Sequence, residues 1–168
     1  MSETKTIILS HEQIQRKLQR MAWEILEKNH QENTIICIGI SENGSYLASA
    51  IGKILSEISD IKVKSGRIDL NKKLGFDAEI TLSCETDIRD QVVVLVDDVL
   101  NSGKVMLASM LPVIERKPRK IMTAVLADRS HKAFPVKGDV VGISLATTTQ
   151  EHIWFKISDE MTMSVYLT

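Results

Sequence analysis

A chain of 168 residues, 43% hydrophobic and 26% charged, carries enough apolar mass for one buried core and too little for two, so residues 1–168 read as a single domain. A formal charge of −1 excludes a global attraction to nucleic acid or an anionic membrane, and any such binding would need a local patch. The first residues lack a basic segment followed by an apolar one, no run is long enough to span a bilayer, and Cys37 and Cys84 show neither Cys-x-x-Cys spacing nor a nearby His pair. Free thiols and a cytoplasmic setting are expected.

The predicted elements begin with Ser10-His-Glu-Gln13, a capping box ahead of a helix whose apolar stripe is Ile14, Leu18, Met21, Ile25 and Leu26. Thr34 to Ile40 reads as a buried strand ending in a loop, Ser41-Glu42-Asn43-Gly44, and the apolar spacing from Tyr46 to Ile58 as a helix. Val63 to Leu70 is strand-like, and residues 71–90 weaken into a loop or short hairpin around Ile80 and Leu82. Val92 to Val96 is apolar without alternation, the pattern of a strand covered on both faces. Val105, Leu107, Ala108, Leu111 and Ile114 suit a helix, and Ile121 to Leu126 a third buried strand. Residues 128–138 read as irregular, Val140 to Leu145 as strand, and Ile153 to Tyr166 as alternating edge strands. Strand and helix alternate three times, which predicts an α/β fold: a parallel twisted sheet flanked by helices, with a small C-terminal addition.

The chemistry concentrates where the central strand ends. Val96 is followed by Asp97 and Asp98, then by Asn101-Ser102-Gly103-Lys104 and the next helix. Carboxylates can accept from both hydroxyls of a vicinal diol, and a glycine-containing turn at a helix start can aim backbone N–H groups at a phosphate. The plainer alternative is that the two acids stop a strand and cap a helix.

Strand, acid pair, turn and helix in this order resemble the phosphoribosyl pyrophosphate motif of type I phosphoribosyltransferases. The resemblance extends over nearly the whole chain and is closest to the bacterial pyrimidine-operon attenuator/uracil phosphoribosyltransferase family. It is carried further by the helix from His11 to Asn29, by Ile38-Gly-Ile40 with Gly44-Ser-Tyr-Leu-Ala48, by Thr86 to Gln91, and by Ala124 to His131 with its Asp128-Arg129 pair. The resemblance implies that Asp97 and Asp98 hold the ribose hydroxyls and that Asn101, Ser102, Gly103, Lys104 and Val105 wrap the 5′-phosphate. It implies that Ser41, Glu42, Asn43 and Gly44 meet the pyrophosphate, that residues 71–85 close over the site, and that a hood from about residue 128 onward reads the base through Asp128, Arg129 and Ile153. The implied reaction is transfer of phosphoribosyl from phosphoribosyl pyrophosphate to a nucleobase with Mg²⁺, in a homodimer or larger oligomer. No catalytic acid or base and no protein ligand set for the metal is assigned.

Several residues depart from the family pattern. Relatives carry Lys or Arg in the first loop, where this chain has Ser41-Glu42-Asn43, and a threonine where it has Val105; the closing loop is shorter and lacks a Tyr-Arg-Asp-Asp element, although Lys72 and Lys73 supply positive charge. These differences bear on turnover more than on ligand binding. The expected function is therefore uracil phosphoribosyl transfer at reduced efficiency. The rival reading is a non-catalytic nucleotide sensor that contacts RNA and controls pyrimidine genes, and a purine-specific enzyme is a weaker third. The plainer readings are Glu42 as a solvated loop residue, His131 as a surface or capping residue, and Arg116, Lys117, Arg119 and Lys120 as an ordinary charged corner rather than an RNA contact.

Overall fold

Strands without polar alternation must be covered on both faces, and that is where they lie. The computed structural model describes residues 5–168. A six-stranded sheet runs in the order β4-β3-β2-β5-β6-β7, built from β2 (Thr34–Ile40), β3 (Lys62–Asp69), β4 (Thr81–Ser83), β5 (Val92–Leu100), β6 (Lys120–Arg129) and β7 (Val140–Leu145). All neighbours are parallel except β4, which pairs antiparallel with β3. Successive residues feed opposite cores. Cys37, Val94, Val96 and Ala124 pack with helices α1 (His11–Lys28) and α2 (Ser41–Ile58), whereas Ile36, Ile38, Val93, Leu95 and Val125 pack with α3 (Lys104–Glu115).

The connections explain where a cleft opens. From β2 the chain passes through α2 outward to β3, and from β5 through α3 the other way to β6. The gap between the ends of β2 and β5 is therefore a topological switch point, where neither helix covers the strand ends.

A second sheet, β1-β9-β8, is antiparallel and joins Thr6–Leu9 near the N-terminus to Ile153–Ile157 and Met163–Leu167 at the C-terminus. Ile153, Phe155, Met163 and Val165 point from it into the core shared with α1 and α2. His11 fixes it further, its Nδ1 accepting the Met163 N–H at 3.0 Å.

Several sequence expectations change in detail. The capping box is formed, with Ser10 N donating to Gln13 Oε1 at 2.8 Å and Gln13 N to Ser10 Oγ at 3.4 Å. The short strand β1 before it was not legible, because its partner lies at the other end of the chain. The expected loop at Ser41 to Gly44 is instead the first turn of α2. Ser41 itself, at φ 57°, makes the whole strand-to-helix reversal. β3 starts one residue earlier than expected, and residues 71–90 contain a single 3₁₀ turn at Gly75–Asp77 and the three-residue β4. β5 continues past both aspartates, and β6 reaches Arg129, because pairing persists beyond the apolar run, Leu100 opposite Asp128 and Arg129 opposite Leu145. Residues 128–145, expected in a hood, thus belong to the main sheet or its connection. The small sheet draws on residues 153–167 and on β1.

The abrupt β2–α2 junction depends on Gly39. A Cβ there would lie 2.2 Å from Ser45 Cα and 2.4 Å from Ser45 N, both backbone atoms. Gly39→Ala is expected to cost about 3 kcal/mol, the upper end of the overpacking range, because backbone cannot rotate away as a side chain can. Urea denaturation would measure it, and a loss below about 1 kcal/mol would show that the junction yields.

Candidate functional site

The switch-point cleft encloses about 630 Å³. Its floor is the end of β5, its flanks are the first turns of α2 and α3, and its roof comes from β8 and from Lys72 in the segment after β3. Ser41, Glu42, Asn43, Asp97, Asp98, Ile153 and every residue from Asn101 to Val105 line it, so one space collects nearly all the residues predicted for it. Gly44 lies just below, buried against the Val96 carbonyl.

Two helix starts facing one cleft give it a positive bias before any side chain is counted. At α3, Gly103 takes the left-handed conformation, φ 89°, which turns the chain from β5 into the helix. The first intrahelical bond is Leu107 N to Gly103 O, at 2.9 Å. Lys104 N donates to Ser102 Oγ at 3.3 Å, which leaves the N–H groups of Gly103, Val105 and Met106 with no helical acceptor. The turn is braced from behind by Ala133 N and Phe134 N, both donating to Ser102 O at 3.0 and 3.1 Å. A tetrahedral anion in front of such a turn would meet several converging donors.

The acid pair is the electrostatic centre. Asp97 is 2% exposed. Lys72 Nζ stands 2.7 Å from Asp97 Oδ1 and 3.3 Å from Asp98 Oδ1. Asn43 Nδ2 donates to Asp98 Oδ2 at 2.9 Å, and the Val99 N–H donates to Asp98 Oδ1 at 2.8 Å. Burial pushes the Asp97 carboxyl up to about 7; the charge on Asp98 adds to this and Lys72 opposes it. Asp98 is buried as well, but Lys72 and the donors around it outweigh burial and hold it below the usual carboxylate range. Burial works against the Lys72 ammonium, yet the two carboxylates prevail and raise its affinity for the proton. Near neutral pH the pair therefore carries between one and two negative charges against one positive.

Other predicted residues behave differently. Asp128 and Arg129 do not reach the cleft. Asp128 is ion-paired with Lys132, while Arg129 Nε donates to Thr147 Oγ1 at 2.8 Å and its NH2 to Thr148 O at 3.1 Å. His131 Nε2 sits 2.7 Å from Thr147 O and must donate to it. Arg129 and His131 together brace residues 147–148, on the approach to β8. Their side chains are consumed because β6 runs on to Arg129 and pairs with β7. Glu42 lies at the rim, exposed, in the favourable first turn of α2. Ser41 Oγ is buried without a protein partner.

Sequence reasoning missed Trp154, whose ring is half exposed at the cleft mouth and whose Nε1 donates to Thr168 Oγ1 at 3.0 Å. A tryptophan at the outward position of an edge strand was the available signal. The basic cluster is largely committed elsewhere: Arg119 pairs with Glu32, Arg116 donates to Leu82 O at 3.2 Å, and Lys120 donates to Asn29 Oδ1 at 3.0 Å. Among the described residues no group of three or more His, Cys, Asp or Glu could hold a metal ion, and no helix is long and apolar enough to cross a membrane.

Comparison with known proteins bears on the same site. The family model for the phosphoribosyl transferase domain matches residues 5–160. The chain is 35% identical to the bifunctional protein PyrR of Clostridium acetobutylicum, covering 96% of this chain and 97% of that protein. It is 33% identical to the Bacillus subtilis protein of that name, over 92% and 91% of the two chains. In shape it matches a hypoxanthine-guanine phosphoribosyltransferase from Bacillus anthracis with a TM-score of 0.75, over 90% of this chain and 88% of that one; at 19% identity this is a likeness of fold alone. The chain belongs to the type I phosphoribosyltransferase family and, within it, to the PyrR group.

Proposed function

We propose that the cleft binds a ribose 5-phosphate unit and that the protein transfers phosphoribosyl from phosphoribosyl pyrophosphate to uracil, slowly compared with its relatives. The observation that carries this reading is the meeting of a buried acid pair and a donor-rich helix start in one cleft. Asp97 and Asp98 accept the ribose hydroxyls, and the turn from Asn101 to Val105 receives the 5′-phosphate. The first turn of α2, at Ser41 to Asn43, faces the pyrophosphate, and the β8 segment at Ile153 with the Trp154 ring borders the base. In the reaction the bond from the anomeric carbon to pyrophosphate breaks and a bond to a base nitrogen forms, with positive character on the sugar between. The protein's part is positioning and charge compensation.

The donor set fits Mg²⁺ that arrives with the ligand. Two carboxylates without a third acid suit an ion held mostly by phosphate oxygens and water. When bound, it would neutralise charge on the departing pyrophosphate. This reading carries with it a cytoplasmic location and a homodimer or larger assembly.

Two residues limit turnover by different amounts. Val105 removes a hydroxyl from the phosphate turn, a loss of about 1.5–3 kcal/mol for a hydrogen bond to a charged group. Glu42 repels pyrophosphate, but it is exposed, where two charges about 4 Å apart interact by nearer 1 than 4 kcal/mol. Val105 therefore matters more. A second reading, a nucleotide-sensing regulator of pyrimidine genes that contacts RNA, is favoured by the same Val105 together with the Lys72 ammonium already seated on the acids. In that reading the RNA contact competes with the partners that Arg116, Arg119 and Lys120 already hold.

Changing Asp97 and Asp98 together to Asn is expected to abolish calorimetric binding of uridine monophosphate while the protein stays folded. Unaltered binding would remove the acids from the site. Val105→Thr is expected to tighten monophosphate binding about tenfold, the equivalent of 1.4 kcal/mol, and Glu42→Arg to act chiefly on phosphoribosyl pyrophosphate. Conversion of labelled uracil should rise severalfold in the double variant, and no conversion in either protein would favour the regulator.

The charge state of Asp97 makes a separate expectation. Its carboxyl titrates at about 7 in the folded protein against 3.8 ordinarily, so between these values the folded chain holds a proton that the unfolded chain has released. That contribution to stability is present below about pH 4 and is lost as pH rises to about 7. Asp97→Asn cannot ionise, so its stability relative to the natural protein should climb across this window in urea denaturation. A difference independent of pH would show that Asp97 titrates as an ordinary carboxylate.

A further inference from the structure

Lys72 reaches the acid pair from a segment anchored on both sides. Asn71 turns the chain, its Oδ1 accepting the Lys73 N–H and its carbonyl the Leu74 N–H, each at 3.0 Å. Beyond Lys72, Phe76 meets Phe134 edge to face with centroids 5.3 Å apart, and the Lys104 ammonium lies 5.6 Å from the Phe76 centroid. The segment thus touches the acid pair with one side chain and the phosphate turn with another.

The ammonium sits on Oδ1 of both acids, the position that a hydroxyl bridging them would take. Hydroxyls bonded to carboxylates sit about 2.5–3.0 Å from the oxygens, and Lys72 Nζ already stands 2.7 Å from Asp97 and 3.3 Å from Asp98. A hydroxyl donating to both Oδ1 atoms and the Lys72 ammonium cannot share that position. The lysine side chain is 35% exposed, so it can leave toward solvent without unfolding anything beneath it.

We propose that Lys72 is a tethered counter-ion that excludes the ribose diol, so that ribonucleotide binding and the Lys72 contact are alternatives at Asp97 and Asp98. This rests on the cleft being a ribose phosphate site. Its consequence is a preference among ligands. Diol hydroxyls are neutral and do not replace the charge that Lys72 withdraws from two buried carboxylates. A ligand accompanied by a divalent cation brings positive charge of its own. Lys72 therefore disfavours a nucleoside monophosphate more than it disfavours phosphoribosyl pyrophosphate with Mg²⁺, and its release frees residues 71–78 from the site.

The test compares the full chain with Lys72→Met, which keeps the aliphatic stem, and with Lys72→Arg, which restores the charge. Without ligand, Lys72→Met should speed amide hydrogen exchange across residues 71–78 at least tenfold. Calorimetry should show uridine monophosphate binding at least threefold tighter in that variant, phosphoribosyl pyrophosphate with Mg²⁺ changing less, and Lys72→Arg returning both readings toward the natural protein. Monophosphate binding that is unchanged or weaker in Lys72→Met, or exchange that does not respond, would overturn the proposal. If no protein of the three binds either ligand, the assignment of the cleft fails, a result distinct from binding that ignores residue 72.

Discussion

Two adjacent carboxylates buried at the end of a central strand are the constraint to which the rest of the site responds. Neither could remain charged at that depth without compensation, since removing an ionised group from water costs several kcal/mol even after relaxation. The compensation comes from three separate stretches of chain: Lys72 from the segment after β3, Asn43 from the first turn of α2, and backbone N–H groups of Asp98 and Val99 from β5 itself. A fold that stabilised only itself would place apolar residues here. An acid pair whose one counter-charge comes from a partly exposed side chain is an arrangement suited to exchanging partners.

The topology supplies the other half of the site. Because α2 and α3 leave the sheet on opposite faces, their N-termini flank the same strand end, and neither needs a charged side chain to make the region attractive to anions. This softens the departure at the first turn of α2. Its missing basic residue removes a charge, but the helix start and the buried Ser41 hydroxyl remain. Asn43, in place of a cation, is used to hold Asp98.

The roof of the cleft is held by interactions that span the chain. β1 pairs with β9, His11 accepts from Met163, and Arg129 with His131 braces the approach to β8. Residues 128–131 resemble a base-reading segment by sequence, yet their side chains serve the strut rather than the cavity. What β8 contributes to the cleft lining is Ile153, Trp154 and Phe155.

The parallel α/β class was legible in the sequence alone, because unbroken apolar strands alternating with amphipathic helices have few other ways to cover both faces. Local units were legible as well: the capping box at Ser10, the β5 strand, the acid pair and the glycine turn ahead of α3, each written in residues that touch within a few positions of one another. What arrives from far along the chain was set by the fold. The pairing of Thr6–Leu9 with the C-terminal strand, the collapse of an expected loop into the first turn of α2, and the engagement of Asp128 and Arg129 all depend on partners many residues distant. The same holds for Lys72, whose sequence marks it only as a loop cation. Its place on Asp97 and Asp98 follows from how the segment after β3 folds back over the sheet edge, a long-range contact that no local spacing encodes.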